Sequence, residues 1–193
     1  RDLHDDMGSV LSTINILSTM AKTKMADDPV KASEYVGKIS DNSQRMMEAM
    51  DDIVWSIKPD NDTMHKITAR MREFATGILE IKDIELDFKV EDKVNDMKLD
   101  MEARRDFFLI FKEAVNNVAK YSHCAKCSIH ISLHQHRLLL DVQDNGAGFD
   151  VSKADGGNGL SNMLKRAEAL KGRVTVQSKP GEGTHVTLNI PIQ

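Results

Sequence analysis

Glu113-Ala114-Val115-Asn116-Asn117-Val118-Ala119-Lys120 decides the carboxy-terminal fold, read together with Asp144-Asn145-Gly146-Ala147-Gly148 and Gly156-Gly157-Asn158-Gly159-Leu160 further on. Helical spacing sets Glu113, Asn117 and Lys120 on one face of a helix expected over 101–120. Phe108, Phe111, Val115 and Val118 fall on the roughly opposite face and are expected in the core. One anion, one amide and one cation suit a metal–phosphate site. An Asn oxygen can ligate Mg²⁺, a Lys can neutralise phosphate, and a Glu can hold a metal-bound water. Taken alone, the same stripe reads first as a solvated helix face. The two glycine clusters change that reading. One follows a predicted strand and the other precedes a predicted helix, where Gly permits positive φ and close backbone approach to a ligand. A helix starting near Leu160 offers free amides to an anion. Asp144, at a strand end, can accept a hydrogen bond from an exocyclic amine such as that of adenine.

Outward from this run, a linker over 60–63 leads to an amphipathic helix over 65–82, with Ile67, Met71, Phe74, Ile78 and Ile81 on one stripe. Alternation of Leu86, Phe88 and Val90 predicts a strand over 85–90. Strands are also expected over 127–133 and 138–142, and a helix over 160–170. Residues 173–177 and 185–191 read as strands joined by Lys179-Pro180-Gly181-Glu182-Gly183. Strands in one sheet with helices on one face give an α+β fold.

The amino-terminal part has a different period. Leu3, Met7, Val10, Ile14, Leu17 and Ala21 recur at steps of four and three, a coiled-coil seam. Ala26-Asp27-Asp28-Pro29 breaks that helix and starts another, whose seam is Val36, Ile39, Ser43, Met46, Met50, Ile53 and Ile57 before Lys58-Pro59 ends it. Two helices on a short loop form an antiparallel hairpin. A lone hairpin leaves much of both seams wet, so a second copy is expected to complete a four-helix bundle. The domain boundaries are 1–58 for the hairpin and 64–193 for the α+β part.

Composition narrows the function. The 193 residues are 40% hydrophobic and 29% charged, which excludes a disordered chain. A net charge of −4 argues against a general nucleic-acid binder. No apolar run is long enough to span a bilayer, so no direct membrane contact is expected of this stretch. Two cysteines cannot make a disulfide framework and fit a reducing, cytoplasmic compartment. The chain opens on Arg1 rather than Met, so it is expected to be a piece of a longer protein, one that an inner membrane can anchor. His123, Cys124, Cys127 and His130 crowd together, but the pattern runs into a strand and lacks the second Cys pair of a zinc site.

The motifs resemble the ATPase fold shared by sensor histidine kinases, gyrase, Hsp90 and MutL. Residues 113–120 look like its N-box, Asp144 to Gly148 its first glycine box, Gly157 to Leu160 its second, and Gly181-Glu182-Gly183-Thr184 its terminal hairpin. Arg1-Asp2-Leu3-His4-Asp5-Asp6-Met7-Gly8 resembles the H-box of the histidine kinases in which Asp directly follows His, and 52–59 resembles the junction between hairpin and ATPase domain, where Trp55 is expected to pack. The resemblance implies an α/β-sandwich ATPase domain, with ATP and Mg²⁺ as cofactors. It places Asn117 and Glu113 at the metal, Lys120 at phosphate and Asp144 at adenine. Asn116, Tyr121, Gly146, Gly148, Gly157, Gly159, Leu160 and Thr184 would line the nucleotide, and residues 147–158 would cover the triphosphate. Tyr121 departs from the His common after the N-box Lys. The implied reaction is autophosphorylation of His4, oriented by Asp5, and relay to an aspartate of a response-regulator receiver domain by a homodimer. Ser9 stands where this branch often carries Gln, so weak phosphatase activity is expected. Rival readings are a serine kinase of the same ATPase fold, which would lack the His-Asp pair in a heptad hairpin, and a dimeric scaffold with a vestigial site, against which the intact Glu113, Asn117, Lys120 and Asp144 stand.

Overall fold

A computed structural model describes residues 2–58, 63–151 and 158–192. The chain divides into two compact units, Arg1–Trp55 and Ser56–Gln193.

In the first unit, α1 (Asp2–Lys24) and α2 (Pro29–Ile57) are joined by the turn 25–28. Asp28 caps α2, its Oδ1 accepting the Lys31 N–H at 3.0 Å, and Pro29 fills the first helical position, where no amide proton is needed. Ala21 and Ala32, equidistant from the turn, are both buried. Their small side chains let the two helices close there. Farther out three half-buried pairs match about the turn in the same way: Ser18 with Tyr35, Ile14 with Ile39, Val10 with Ser43. Ile39, Ser43 and Met46 of the second expected seam thus lie inward, whereas Val36 and Met50 are exposed. Met50 lies at the same helical azimuth as Ile39 and Ser43, so its exposure marks a part of the seam left uncovered within one hairpin.

The second unit runs α3 (Met64–Glu80), β1 (Glu85–Val90), a short α4 (Asp92–Asn95), α5 (Met101–Asn117), a π turn (Val118–Ser122), β2 (Lys126–His134), β3 (Arg137–Asp144), α6 (Asn158–Ala169), β4 (Arg173–Ser178) and β5 (Thr184–Pro191). The strands form one mixed sheet in the order β1-β2-β3-β5-β4, with β1 parallel to β2 and every other pair antiparallel. The expected α+β architecture is the one observed. Strand alternation sends Cys127, Ile129 and Ile131 of β2 and Leu138, Leu140, Val142 and Asp144 of β3 to the buried face. Phe74 of α3 and Phe111 of α5 meet edge to face at 6.1 Å, and Phe111 meets Phe88 of β1 at 6.5 Å, which ties the helix layer to the sheet.

Ile81 departs from expectation: it is 81% exposed, and the inward stripe of α3 is Met64, Ile67, Thr68, Met71, Ala75 and Leu79. The helix stops at Glu80, and Asp83 turns the chain through a left-handed conformation (φ 55°). Ile84 then returns to the core with its N–H on the Leu79 carbonyl. Among the described residues no helix is long and apolar enough to cross a membrane.

Candidate active site

Asp100 starts α5, accepting the Ala103 N–H at 2.8 Å, and Phe107, Phe108, Ile110, Phe111, Ala114 and Val115 fasten one side of the helix in the core. The other side presents Glu113, Asn116 and Asn117, all half-buried. The α-helix predicted through Lys120 ends at Asn117. Val118–Ser122 forms a π turn, entered where the Val118 N–H is shared between the Ala114 and Val115 carbonyls and closed by His123 at φ 52°. The wider π turn shifts Lys120 off the α-helical stripe that Glu113 and Asn117 share. Lys120 and Tyr121 are exposed, Tyr121 by 69%, while Val118 and Ser122 are buried.

Asp144 ends β3 on the inner face, opposite Cys127 of β2 and Thr184 of β5. It is buried, and its Oδ1 accepts the Gly146 N–H at 2.8 Å. Burial raises its pKa above the ordinary carboxylate value, opposed by the backbone amides of Gly146 and Thr184. Burial also pushes the neighbouring Cys127 thiol up to about 12, with Cys124 and Asp144 adding to the effect, so Cys127 stays protonated. The loop after Asp144 is walled by backbone. A Cβ on Gly146 would overlap the Ser122 carbonyl, one on Gly148 (φ 57°) the Lys179 carbonyl, and one on Gly183 (φ 73°) the Asp144 carbonyl. The Ala147 N–H meets the Ser122 carbonyl at 2.7 Å, and the Gly181 N–H meets the Ala147 carbonyl at 2.6 Å.

Three site-building residues are ones the motif reading missed. Ser178 Oγ accepts the Phe149 N–H and donates to the Gly183 carbonyl, both at 2.9 Å, and Thr184 Oγ1 lies 3.0 Å from it. Asn145 Oδ1 accepts the amides of Ala125 and Lys126, fixing the start of β2. Ser122 supplies its carbonyl to the glycine loop and its hydroxyl to the Cys124 N–H. The available signal was position: Asn145 sits inside the glycine box, and Ser178 opens the Lys179-Pro180-Gly181 turn.

At the other wall, Gly159 in the first turn of α6 lies against Glu113, whose Oε1 occupies the place of a Cβ. Leu160 is half-buried beside it, and Met163 and Ala167 are buried. Gly157 lies outside the described residues. Glu113 and Asn117, one turn apart on α5, offer hard oxygen donors of the kind Mg²⁺ takes, so the donor set fits that ion. The zinc alternative finds no support in the geometry. Cys127 is on the sheet's inner face, His130 three residues on faces outward, and no group of three His, Cys, Asp or Glu among the described residues could hold a metal. His4 and Asp5 lie in α1, with their side chains outside the described residues, and Ser9 is exposed on the same helix.

The glycines separate support from chemistry. At Gly148 the obstruction is backbone and φ is positive, so Gly148→Ala should cost about 1–3 kcal/mol of stability, read as a lowered melting temperature. At Gly159 the obstruction is the tip of a flexible side chain. Gly159→Ala should therefore keep the wild-type melting temperature while displacing Glu113 and slowing any reaction that depends on it. Equal melting losses in the two variants would contradict this placement.

Residues 1–62 match the family described as "Histidine kinase", and residues 102–193 match "Histidine kinase-, DNA gyrase B-, and HSP90-like ATPase". The chain belongs to the histidine kinases. Among curated relatives, the sensor histidine kinase LiaS of Bacillus subtilis (strain 168) is 27% identical over 202 residues, covering 100% of this chain and 52% of its own. The sensor protein VraS of Staphylococcus aureus (strain COL) is 26% identical over 200 residues, with coverages of 100% and 54%. The chain thus spans about half the length of the curated relatives it matches. Among solved structures, the Acinetobacter baumannii histidine kinase AdeS superposes with a TM-score of 0.66 at 16% identity, over 96% of this chain and 98% of that one. Full-length ShkA in complex with AMPPNP gives 0.65 at 17% identity, over 98% and 45%. At these identities the solved structures speak for the histidine kinase fold alone.

Proposed function

We propose that this histidine kinase chain autophosphorylates His4 from ATP and passes the phosphoryl group to an aspartate of a response-regulator receiver domain. The observation that carries the proposal is the buried Asp144 carboxylate beside a loop whose glycines leave no room for side chains, tied through the Ser122 carbonyl to the turn that follows Glu113 and Asn117. Asp144 reads the adenine amine, and the backbone packed against Gly146, Gly148 and Gly183 holds the loop beside it in place. Asn116, Tyr121, Leu160 and Thr184 border that space. Lys120, exposed on the π turn, reaches phosphate as a cation. Magnesium, held by Asn117 with Glu113 beside it, supplies charge neutralisation at the phosphates when bound.

On the hairpin, Asp5 accepts the His4 Nδ1 proton and holds the tautomer whose Nε2 lone pair is free. Nε2 bonds to the γ-phosphorus as the bridge to the β-phosphate breaks, and ADP leaves with the bonding pair on its oxygen. The exposed Leu11, Met47 and Met50 of the hairpin support a second copy as its partner, because a four-helix bundle would cover them. Sedimentation showing a monomer at high micromolar concentration would contradict the dimer. For the chemistry, γ-labelled ATP should leave its label on the chain and α-labelled ATP should not. Labelling from both would indicate retained or transferred nucleotide instead.

A further inference from the structure

The α5–α6 contact holds a charge pair that neither the pocket nor the phosphoacceptor uses. Arg166 Nη1 lies 2.8 Å from Oδ1 of Asp106, whose side chain is 8% exposed, and Arg105 Nε approaches the same oxygen at 3.4 Å. Asp106 stands seven residues before Glu113 on α5, and Arg166 seven residues after Gly159 on α6. Each interval is about two helical turns, ~10 Å. Because the helices run antiparallel, one register sets Gly159 on Glu113 and Arg166 on Asp106 at the same time.

That register matters at the pocket end. Only Gly159 leaves room for the Glu113 carboxylate. A one-residue slip of α6 would present Asn158 or Leu160, whose Cβ would push the carboxylate out. Met163, between the two ends, and Ala167, just past Arg166, are buried apolar contacts that carry no directional bond to fix the register. A charged hydrogen bond at 2.8 Å is directional and does fix it.

We propose that the Asp106–Arg166 ion pair is a register pin for α6, a pair of positioning residues that sets nucleotide affinity from two turns away by keeping Gly159 against Glu113. The inference rests on the reading of this pocket as the ATP site. Arg105 remains beside Asp106 when Arg166 is changed, so Arg166→Gln leaves the buried carboxylate with a cationic neighbour and the fold intact.

The test is a double-mutant cycle of Asp106→Asn and Arg166→Gln, read by calorimetry with Mg-ADP and by the ATP dependence of labelling. Arg166→Gln should weaken ADP and raise the KM for ATP by about tenfold, and should slow the reaction at saturating ATP in the same sense as Gly159→Ala, since both displace Glu113. Asp106→Asn should act in the same direction, the double variant should be no worse than Arg166→Gln alone, and Arg166→Lys should recover part of the affinity. A lowered melting temperature with wild-type ADP affinity would overturn the pin, and so would additive losses in the double variant. If the wild type binds ADP but takes no label, the kinase reading fails, while the calorimetric cycle still decides the pin.

Discussion

Replacing His4 by Gln should abolish covalent labelling from γ-labelled ATP while leaving ADP affinity at the wild-type value. Gln has a helix propensity close to that of the best formers, so α1 keeps its structure. What it lacks is a basic nitrogen with a free lone pair, and a carboxamide does not displace a phosphoryl leaving group. The proposed nucleotide pocket draws on the second unit alone, from α5, the π turn, the end of β3, the start of α6 and the 178–184 turn. Loss of labelling should therefore come without loss of binding. A scintillation count of the denatured, washed protein beside calorimetry separates the two. Persistent labelling of His4→Gln would mean that another residue is the acceptor.

Asp144→Ala should weaken ATP by about 1.5–3 kcal/mol, the range for a hydrogen bond to a charged group, which is roughly 10- to 150-fold in Kd. Part of that loss is indirect, since the Gly146 N–H loses its 2.8 Å acceptor and the glycine loop loosens. GTP carries a carbonyl where ATP carries the amine, so the wild type should prefer ATP and the alanine variant should lose the preference. Equal binding of ATP and GTP by the wild type would refute the role. Asp144→Asn probes the same site through stability. Burial raises the Asp144 pKa, so the nucleotide-free fold favours its protonated form. The stability it contributes is present below the ordinary carboxylate pKa and is lost as pH rises through the raised one. At neutral pH the buried charge is a cost, and Asp144→Asn should raise the melting temperature of the nucleotide-free protein there. A lower melting temperature would mean that the Gly146 and Thr184 amides outweigh the desolvation.

The fold was legible wherever the hydrophobic period was long and the punctuation strong. Asp28-Pro29 set the start of α2, the helix expected from Met101 begins there, and the strands expected over 127–133 and 138–142 are observed over 126–134 and 137–144. Ile81 misled because periodicity does not register where a helix stops, and Asp83, which enters the left-handed region more readily than most residues but less readily than glycine, is a faint stop signal. The π turn after Asn117 was hidden for a related reason, since its residues suit an α-helix equally well and the wider turn is set by tertiary packing of Val118 and Ser122. At the site, residue types with chemical meaning were legible as a set. Ser178, Asn145 and the Asp106–Arg166 pair were not, because each acts by meeting a partner distant in sequence.

The central claim, phosphorylation of a histidine, is tested most directly by the stability of the covalent label. Wild-type protein incubated with γ-labelled ATP and magnesium, then denatured and split between acid and base, should lose its label in acid and keep it in base. A label that survives acid and is released by base would identify a hydroxyl acceptor and contradict the account.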